Sequence, residues 1–247
     1  MSDAINAPAK HDYKAVHSSG SRHAAQIAYE VLHAGQATSA AGMGSWFENP
    51  ASGGSTQCGF DCNETQRYLP DLVIPQGAPP LNTSGLHGEL AAYSAWTPAG
   101  WLRRKRMLQR AAWQFAEWSI EYDVPVRYLK AKQLQERGVN PGQGKGGITD
   151  HGQVSKAFGK SDHTDPGPGF EQPATEVKKG KKVRTVPRRL FMGYVKKYRK
   201  QMLAPPKPKP KAKPKPPAKP KPKNPGPLAR LFSRYMPWIP ANQDRKK

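Results

Sequence analysis

Residues 146–170 read GGITDHGQVSKAFGKSDHTDPGPGF. Three side chains of metal-ligand type, His151, His163 and Asp165, fall within fifteen positions, and Pro166-Gly167-Pro168-Gly169 closes the segment. Proline fixes φ and glycine allows tight turns, so polar side chains here are presented on stiff loop backbone. Imidazole nitrogen and carboxylate oxygen are the donors that catalytic Zn²⁺ takes, three from the protein with a fourth position left for water. Spacing alone fits a solvated polar loop equally well, and a metal site needs a further ligand from elsewhere in the chain.

Working outward, the 247 residues carry 40 Lys+Arg against 18 Asp+Glu, a net +22, with 36% apolar content. That length suits one domain with a substantial core. The charge is unevenly placed: residues 1–177 hold 16 Lys+Arg and 17 Asp+Glu, giving −1, whereas residues 178–247 hold 24 and 1, giving +23. A near-neutral globular part is therefore joined to a cationic tail. No run of 18 apolar residues is present, so no membrane-spanning helix is expected. The start, MSDAINAPAKHDYKAVHSSGSRH, lacks a charged-then-apolar signal pattern, so no secretory signal peptide is expected, and action outside the cytoplasm where the chain is made would require release by something else. Cys58 and Cys62 make at most one bridge, and a lone CxxxC pair is read as thiols in preference to a structural zinc site.

Residues 1–23 are polar and Gly/Ser/His-rich, a flexible lead-in. Ala24–His33 follows, its second half apolar and β-branched like a buried strand, with His33 where a loop begins. Strand ends of α/β sheets present active-site residues, although a lone histidine there is also an ordinary core residue. Residues 55–69, STQCGFDCNETQRYL, form two short strands around a turn at Asp61 to Glu64. In Leu86-His87-Gly88-Glu89-Leu90, a glutamate on a core strand is costly to bury unless paired or near a metal, and otherwise faces solvent. His87, two positions away, shares its face and is read as a groove residue in preference to a decoy ligand. Thr97-Pro98 opens the clearest helix, with Thr97 as N-cap. Trp101, Leu108, Ala112 and Phe115 recur at helical spacing, while Arg103, Arg104, Lys105, Arg106 and Arg110 turn mostly outward. Residues 126–129 are expected as a strand and 131–137 as a helix ended by Gly138.

The patterns GxTDHxxVS and HTDPGPGF resemble the C-terminal ligand segment of the N-acetylmuramoyl-L-alanine amidases related to the peptidoglycan recognition proteins, the phage endolysins above all. HAGQATSAAGMGSWFENPASGGSTQ resembles their first ligand segment, and Gly88-Glu89-Leu90 their Ile-Glu-Leu strand. The resemblance implies an α/β fold with a central mixed sheet flanked by helices over residues 24–177. It implies a zinc ion on His33, His151 and Asp165, with Glu89 as general base and His163, often a lysine in the family, assisting at the oxyanion. Trp46 and Phe47 are read as helix-face packing, not as a substrate platform. The chain departs from the family at Gln57, where many relatives carry a histidine or aromatic, and at Val73-Ile74-Pro75-Gln76, where relatives have a Trp-His pair. These positions line the family's substrate groove, which leaves the details of peptide recognition open.

Beyond Phe170 the composition changes. Residues 178–204 contain a basic amphipathic helix, with Leu190, Tyr194, Val195, Tyr198 and Met202 on one side and six Lys or Arg largely opposite. Residues 205–227 hold 11 prolines and 8 lysines, a polyproline-type spacer of roughly 3.1 Å per residue. Residues 228–247 form a short amphipathic segment whose Trp238 and Tyr235 beside arginine suit an anionic membrane or envelope interface. The implied function is wall hydrolysis for host cell lysis by a monomeric enzyme whose tail holds the envelope. The competing readings are a non-catalytic peptidoglycan binder and a polyanion binder that takes nucleic acid non-specifically through Lys-Pro runs.

Overall fold

The computed structural model describes residues 14–205 and shows a five-stranded mixed sheet in the order β3-β2-β4-β1-β5. The strands are β1 (Tyr29–Ala34), β2 (Cys58–Phe60), β3 (Thr65–Arg67), β4 (Gly85–Leu90) and β5 (Gly147–Asp150). Strand β1 runs parallel to both β4 and β5, β2 runs parallel to β4, and only the β2–β3 pair is antiparallel. Every residue of β1 and β4 is buried, as befits central parallel strands covered on both faces.

Alternation along these strands feeds two apolar layers. On one face Leu32, Leu86, Leu90 and Ile148 join a large core with Trp101, Phe115 and Trp118. On the other, Tyr29 and Val31 pack with Leu81, Leu129, Leu134 and Val154. Gly88 allows the large layer to close, because a Cβ there would lie 2.8 Å from the Phe115 ring and 2.9 Å from that of Phe60.

The helices are α1 (Ala40–Phe47), α2 (Pro98–Leu102), α3 (Lys105–Glu121), α4 (Ala131–Arg137), α5 (His151–Phe158), α6 (Pro168–Glu171) and α7 (Pro187–Met202). Thr97 accepts from the Gly100 N–H and Pro98 sits at the helix start, as expected. The expected single helix is two, since the chain leaves helical geometry at Arg104 (φ −109°, ψ 40°), whose guanidinium lies 4.1 Å over the Trp96 ring. Arg110 does not turn outward. It is buried and donates to the Asn63 carbonyl at 2.6 Å, tying α3 to the β2–β3 turn. Residues 126–129 make no strand, only a bridge from Tyr128 to Ile148.

Three further departures concern the ends. Residues 14–22, assigned to a flexible lead-in, are bound along the domain: Ala15 N–H donates to Tyr68, Val16 N–H to Phe47, and buried Arg22 donates to the carbonyls of Asp71, Asn82, Thr83 and Gly85. A hairpin of β6 (Ala174–Lys178) and β7 (Lys181–Thr185) was not anticipated. Its turn carries Lys179 and Gly180 at φ 48° and 74°, the doubly positive pattern of tight hairpins. Finally, the compact unit does not end near residue 177 but runs to Pro205. The apolar side of α7 is occupied, with Phe191, Met192, Val195 and Tyr198 buried in the large core and Phe191 edge-on to Phe115 at 5.3 Å. A membrane-facing role for that face is thereby excluded. The proline-lysine spacer from 206 onward and the segment 228–247 lie outside the described residues.

Candidate metal centre

Three elements converge at the C-terminal edge of the sheet. His33 is the fifth residue of β1, Glu89 stands beside it in register on β4, and His151 is the first residue of α5, directly after β5. Parallel pairing sets side chains at matched positions on the same face, so the β1–β4 register alone places His33 against Glu89. Asp150 caps α5 by accepting from the Gln153 N–H and also accepts from the Tyr128 hydroxyl, which fixes where His151 starts. Asp165 arrives from the Pro-Gly loop, and its Oδ2 accepts from the Ala34 N–H at 3.1 Å.

His33, His151 and Asp165 are all buried, and their ligand-type atoms lie within 4.8 Å of one another. His33 Nδ1 is 3.5 Å from Asp165 Oδ2, and His151 Nδ1 is 3.3 Å from Asp165 Oδ1. Zinc–ligand bonds of about 2.0–2.1 Å set tetrahedrally give ligand-to-ligand edges of roughly 3.3–3.4 Å. The two histidine-to-Asp165 separations match those edges, and two imidazoles with a carboxylate are donor types that Zn²⁺ takes. Glu89 Oε1 lies 4.0 Å from His33 Nδ1, and its buried Oε2 lacks a hydrogen-bond partner. His163 reaches Asp165 Oδ1 at 3.4 Å and lies parallel to the His151 ring at 4.3 Å, but it remains largely exposed at the rim.

The electrostatics follow from crowding. Burial pushes Asp165 up, yet hydrogen bonds from His151, His163 and His33 outweigh it and hold this carboxyl far below the usual carboxylate range. Burial raises Glu89 to about 7 against the opposing pull of His33. It lowers His151 to about 4 and pulls His87 well below the ordinary imidazole value. Burial also disfavours a charged His33, but Glu89 and Asp165 outweigh it and raise that residue. His163 is raised by its hydrogen bond to Asp165.

The centre opens into a cleft of about 300 Å³ walled by Gly35, Trp46, the Gly53–Thr56 backbone and Gln76. Trp46 corrects the sequence reading: it is half exposed and lines the cleft, while its neighbour Phe47, which also borders the cleft, packs into the large core. Helical spacing cannot distinguish the two when a helix rides on a cleft edge. Gln57 is fully buried and outside the cleft wall, whereas Gln76 lines it. His87 is no groove residue either. It is completely buried behind His33, with 3.1 Å between His33 Nε2 and His87 Nδ1. Sequence reasoning passed over Ser161, whose hydroxyl lies 3.2 Å from His151 Nε2; a serine in a polar loop carries no signal.

No protein-family profile matches the chain, and no curated protein matches it. Among solved structures, the Staphylococcus aureus hydrolase AmiA, determined in complex with its ligand, superposes with a TM-score of 0.52 at 15% identity, covering 80% of this chain and 87% of that one. The N-acetylmuramoyl-L-alanine amidase LysCS of Clostridium intestinale (TM-score 0.40, 8% identity, 66% and 90% covered) and Drosophila PGRP-LB (0.39, 17%, 67% and 84%) are also similar. The mixed sheet flanked by helices is thus the fold of AmiA, which agrees with the architecture that the resemblance implied.

Proposed function

We propose that this chain is a zinc-dependent N-acetylmuramoyl-L-alanine amidase of endolysin type, hydrolysing the amide between N-acetylmuramic acid and L-alanine of bacterial peptidoglycan during phage-driven lysis. The observation that carries the reading is the buried His33–His151–Asp165 cluster, with Glu89 beside it at the floor of an open cleft. The fold shared with the hydrolase AmiA supports it.

His33, His151 and Asp165 hold the metal through two nitrogens and one oxygen. Zinc bound there supplies Lewis-acid polarisation of a carbonyl and a more acidic water. Glu89, buried in the cleft beside His33, takes the proton of the attacking water and passes it to the departing amine of L-alanine. His163 stands at the rim with its imidazole favoured in the charged form by Asp165, and donates to the oxygen of the carbonyl as negative charge grows there. The cleft walls are open and partly backbone, suited to an extended peptide. The cationic tail after Pro205 carries the enzyme, as a monomer, to an anionic envelope.

Zymography on purified cell walls, with and without chelator, tests the reading. A cleared zone that chelator abolishes and added zinc restores is expected. Alanine at His33, His151 or Asp165 should abolish clearing and lower bound zinc. Stoichiometric zinc in all three variants removes the ligand assignment, and wall binding without clearing points to a non-catalytic recognition protein.

A further inference from the structure

We infer that His87 is a positioning residue for the metal centre: its buried imidazole accepts a hydrogen bond from His33 Nε2 and so holds His33 in the tautomer whose Nδ1 lone pair faces the metal. The inference rests on the zinc reading above and extends it to a residue that touches neither metal nor substrate.

A neutral imidazole carries one proton on two nitrogens, so a ring that ligates through one nitrogen must carry its proton on the other. His33 Nδ1 is the nitrogen turned toward Asp165 and Glu89, at 3.5 and 4.0 Å. Its Nε2 therefore carries the proton, and that N–H is buried away from water. His87 Nδ1 lies 3.1 Å from it, with the two rings 24° from coplanar and their centroids 5.2 Å apart, as in an edge-to-edge ring hydrogen bond. Accepting at Nδ1 puts the proton of His87 on Nε2, which faces the Leu81 carbonyl at 3.5 Å. The tautomers of both rings are thus fixed in one direction, from Leu81 inward to the metal.

The surroundings of His87 are shaped for this ring. Its N–H donates to Gln57 Oε1 at 2.7 Å, and Gln57 is itself anchored by donating to the Val73 carbonyl at 3.0 Å. Glycines flank both nitrogens: a Cβ on Gly77 would lie 2.6 Å from His87 Nδ1, and one on Gly85 2.8 Å from His87 Nε2. A slot bounded by two missing side chains, with a glutamine aligning the strand, is more than a histidine needs merely to fill space. The same logic holds on the other ligand, since His151 turns Nδ1 to Asp165 and meets Ser161 Oγ through Nε2, and Ser161 is held by Ser155 at 2.6 Å. Partners of ligating histidines orient the ring, and their loss typically weakens metal binding by about 10–100-fold.

The test measures Zn²⁺ affinity of the full chain by competition with a chromophoric chelator, alongside thermal melts and long-range ¹H–¹⁵N spectra of the histidine rings. His87→Leu, which fills the space without an acceptor, should bind zinc about 10–100-fold more weakly. His87→Asn, whose carbonyl restores an acceptor near the Nδ1 position, should recover most of that loss. Zinc-loaded wild type should show both His33 and His87 protonated on Nε2. A folded His87→Leu with wild-type affinity overturns the inference, as does a His33 proton found on Nδ1. If His87→Leu melts early, Gly77→Ala, which pushes on the His87 ring without altering it, must lower zinc affinity in the same direction, and unchanged affinity there overturns the inference too. Absence of zinc binding by the wild type would instead remove the metal reading itself, and this inference with it.

Discussion

Glu89 and Glu30 are both carboxylates on central strands, and their surroundings give them opposite uses. Glu89 lines the cleft, with Oε1 4.0 Å from His33 Nδ1 and Oε2 without a hydrogen-bond partner. Glu89→Gln keeps the shape and removes the base, so turnover on soluble muropeptide should fall by ~10²- to 10⁴-fold. Zinc content should not change, and near-normal turnover would assign proton transfer to another group. Glu30, three residues before His33, faces the large core, fully buried, and neither carboxylate oxygen has a hydrogen-bond partner. Burial raises it well above its ordinary value of 4.5 against the weaker opposing charge of Arg199. The folded state therefore holds this proton more tightly than the unfolded chain does. The sign follows: stability is fully present below about 4.5, the unfolded value, and is lost as pH rises through the elevated folded value. Glu30→Met removes an unsatisfied buried polar group, worth ~1–3 kcal/mol, and each kcal/mol moves Tm by about 2–4 °C for a chain of this size. Melting curves should show the variant gaining more at pH 8 than at pH 5, and an equal gain at both would mean that Glu30 does not titrate in this range.

Helix α7 was the element most open to misreading. Its sequence has the composition of a surface-seeking basic helix, yet Phe191 meets Phe115 at 5.3 Å and Phe170 at 6.4 Å, and Tyr198 meets Trp113 at 5.3 Å. The lysines and arginines cover the outer side while the aromatic side closes the layer over α3. A chain cut at residue 177 should fail to give a cooperative melt, whereas one cut at 205 should unfold as sharply as the full chain. Phe191→Ala should cost ~3–5 kcal/mol by the cavity it leaves. A sharp, unshifted melt for the 1–177 fragment would show the helix to be dispensable.

Taken as one molecule, the chain carries 27 Lys+Arg against 17 Asp+Glu, +10, on residues 1–205, and a denser positive charge on the short tail beyond. Residues 206–247 hold 13 Lys+Arg and 1 Asp+Glu, a net +12, so deleting them should leave activity on soluble muropeptide intact while lowering activity on intact cells. The deficit should be largest at low salt, because attraction between exposed charges is screened beyond ~8 Å at physiological ionic strength. Equal activity of both forms on cells at every salt concentration would rule out a targeting role.

Local patterns in the chain were enough for the strand ending at His33, the Thr97-Pro98 helix start and the helix stopped by Gly138, whereas the convergence of His33, His151 and Asp165 on one centre was legible only through the family resemblance. Each of the first three is announced by residues next to it. Packing alone settled the rest. Whether Trp46 or Phe47 turns inward depends on which helix face meets the sheet. His87 lies behind His33 instead of in the groove because the parallel β1–β4 register puts Val31 opposite it and Gly77 and Gly85 leave its ring room. The apolar side of α7 is buried and not free for a membrane because α3, about eighty residues earlier, offers it a matching aromatic surface. A sequence states how apolar a face is, but what covers that face is decided by contacts between distant residues.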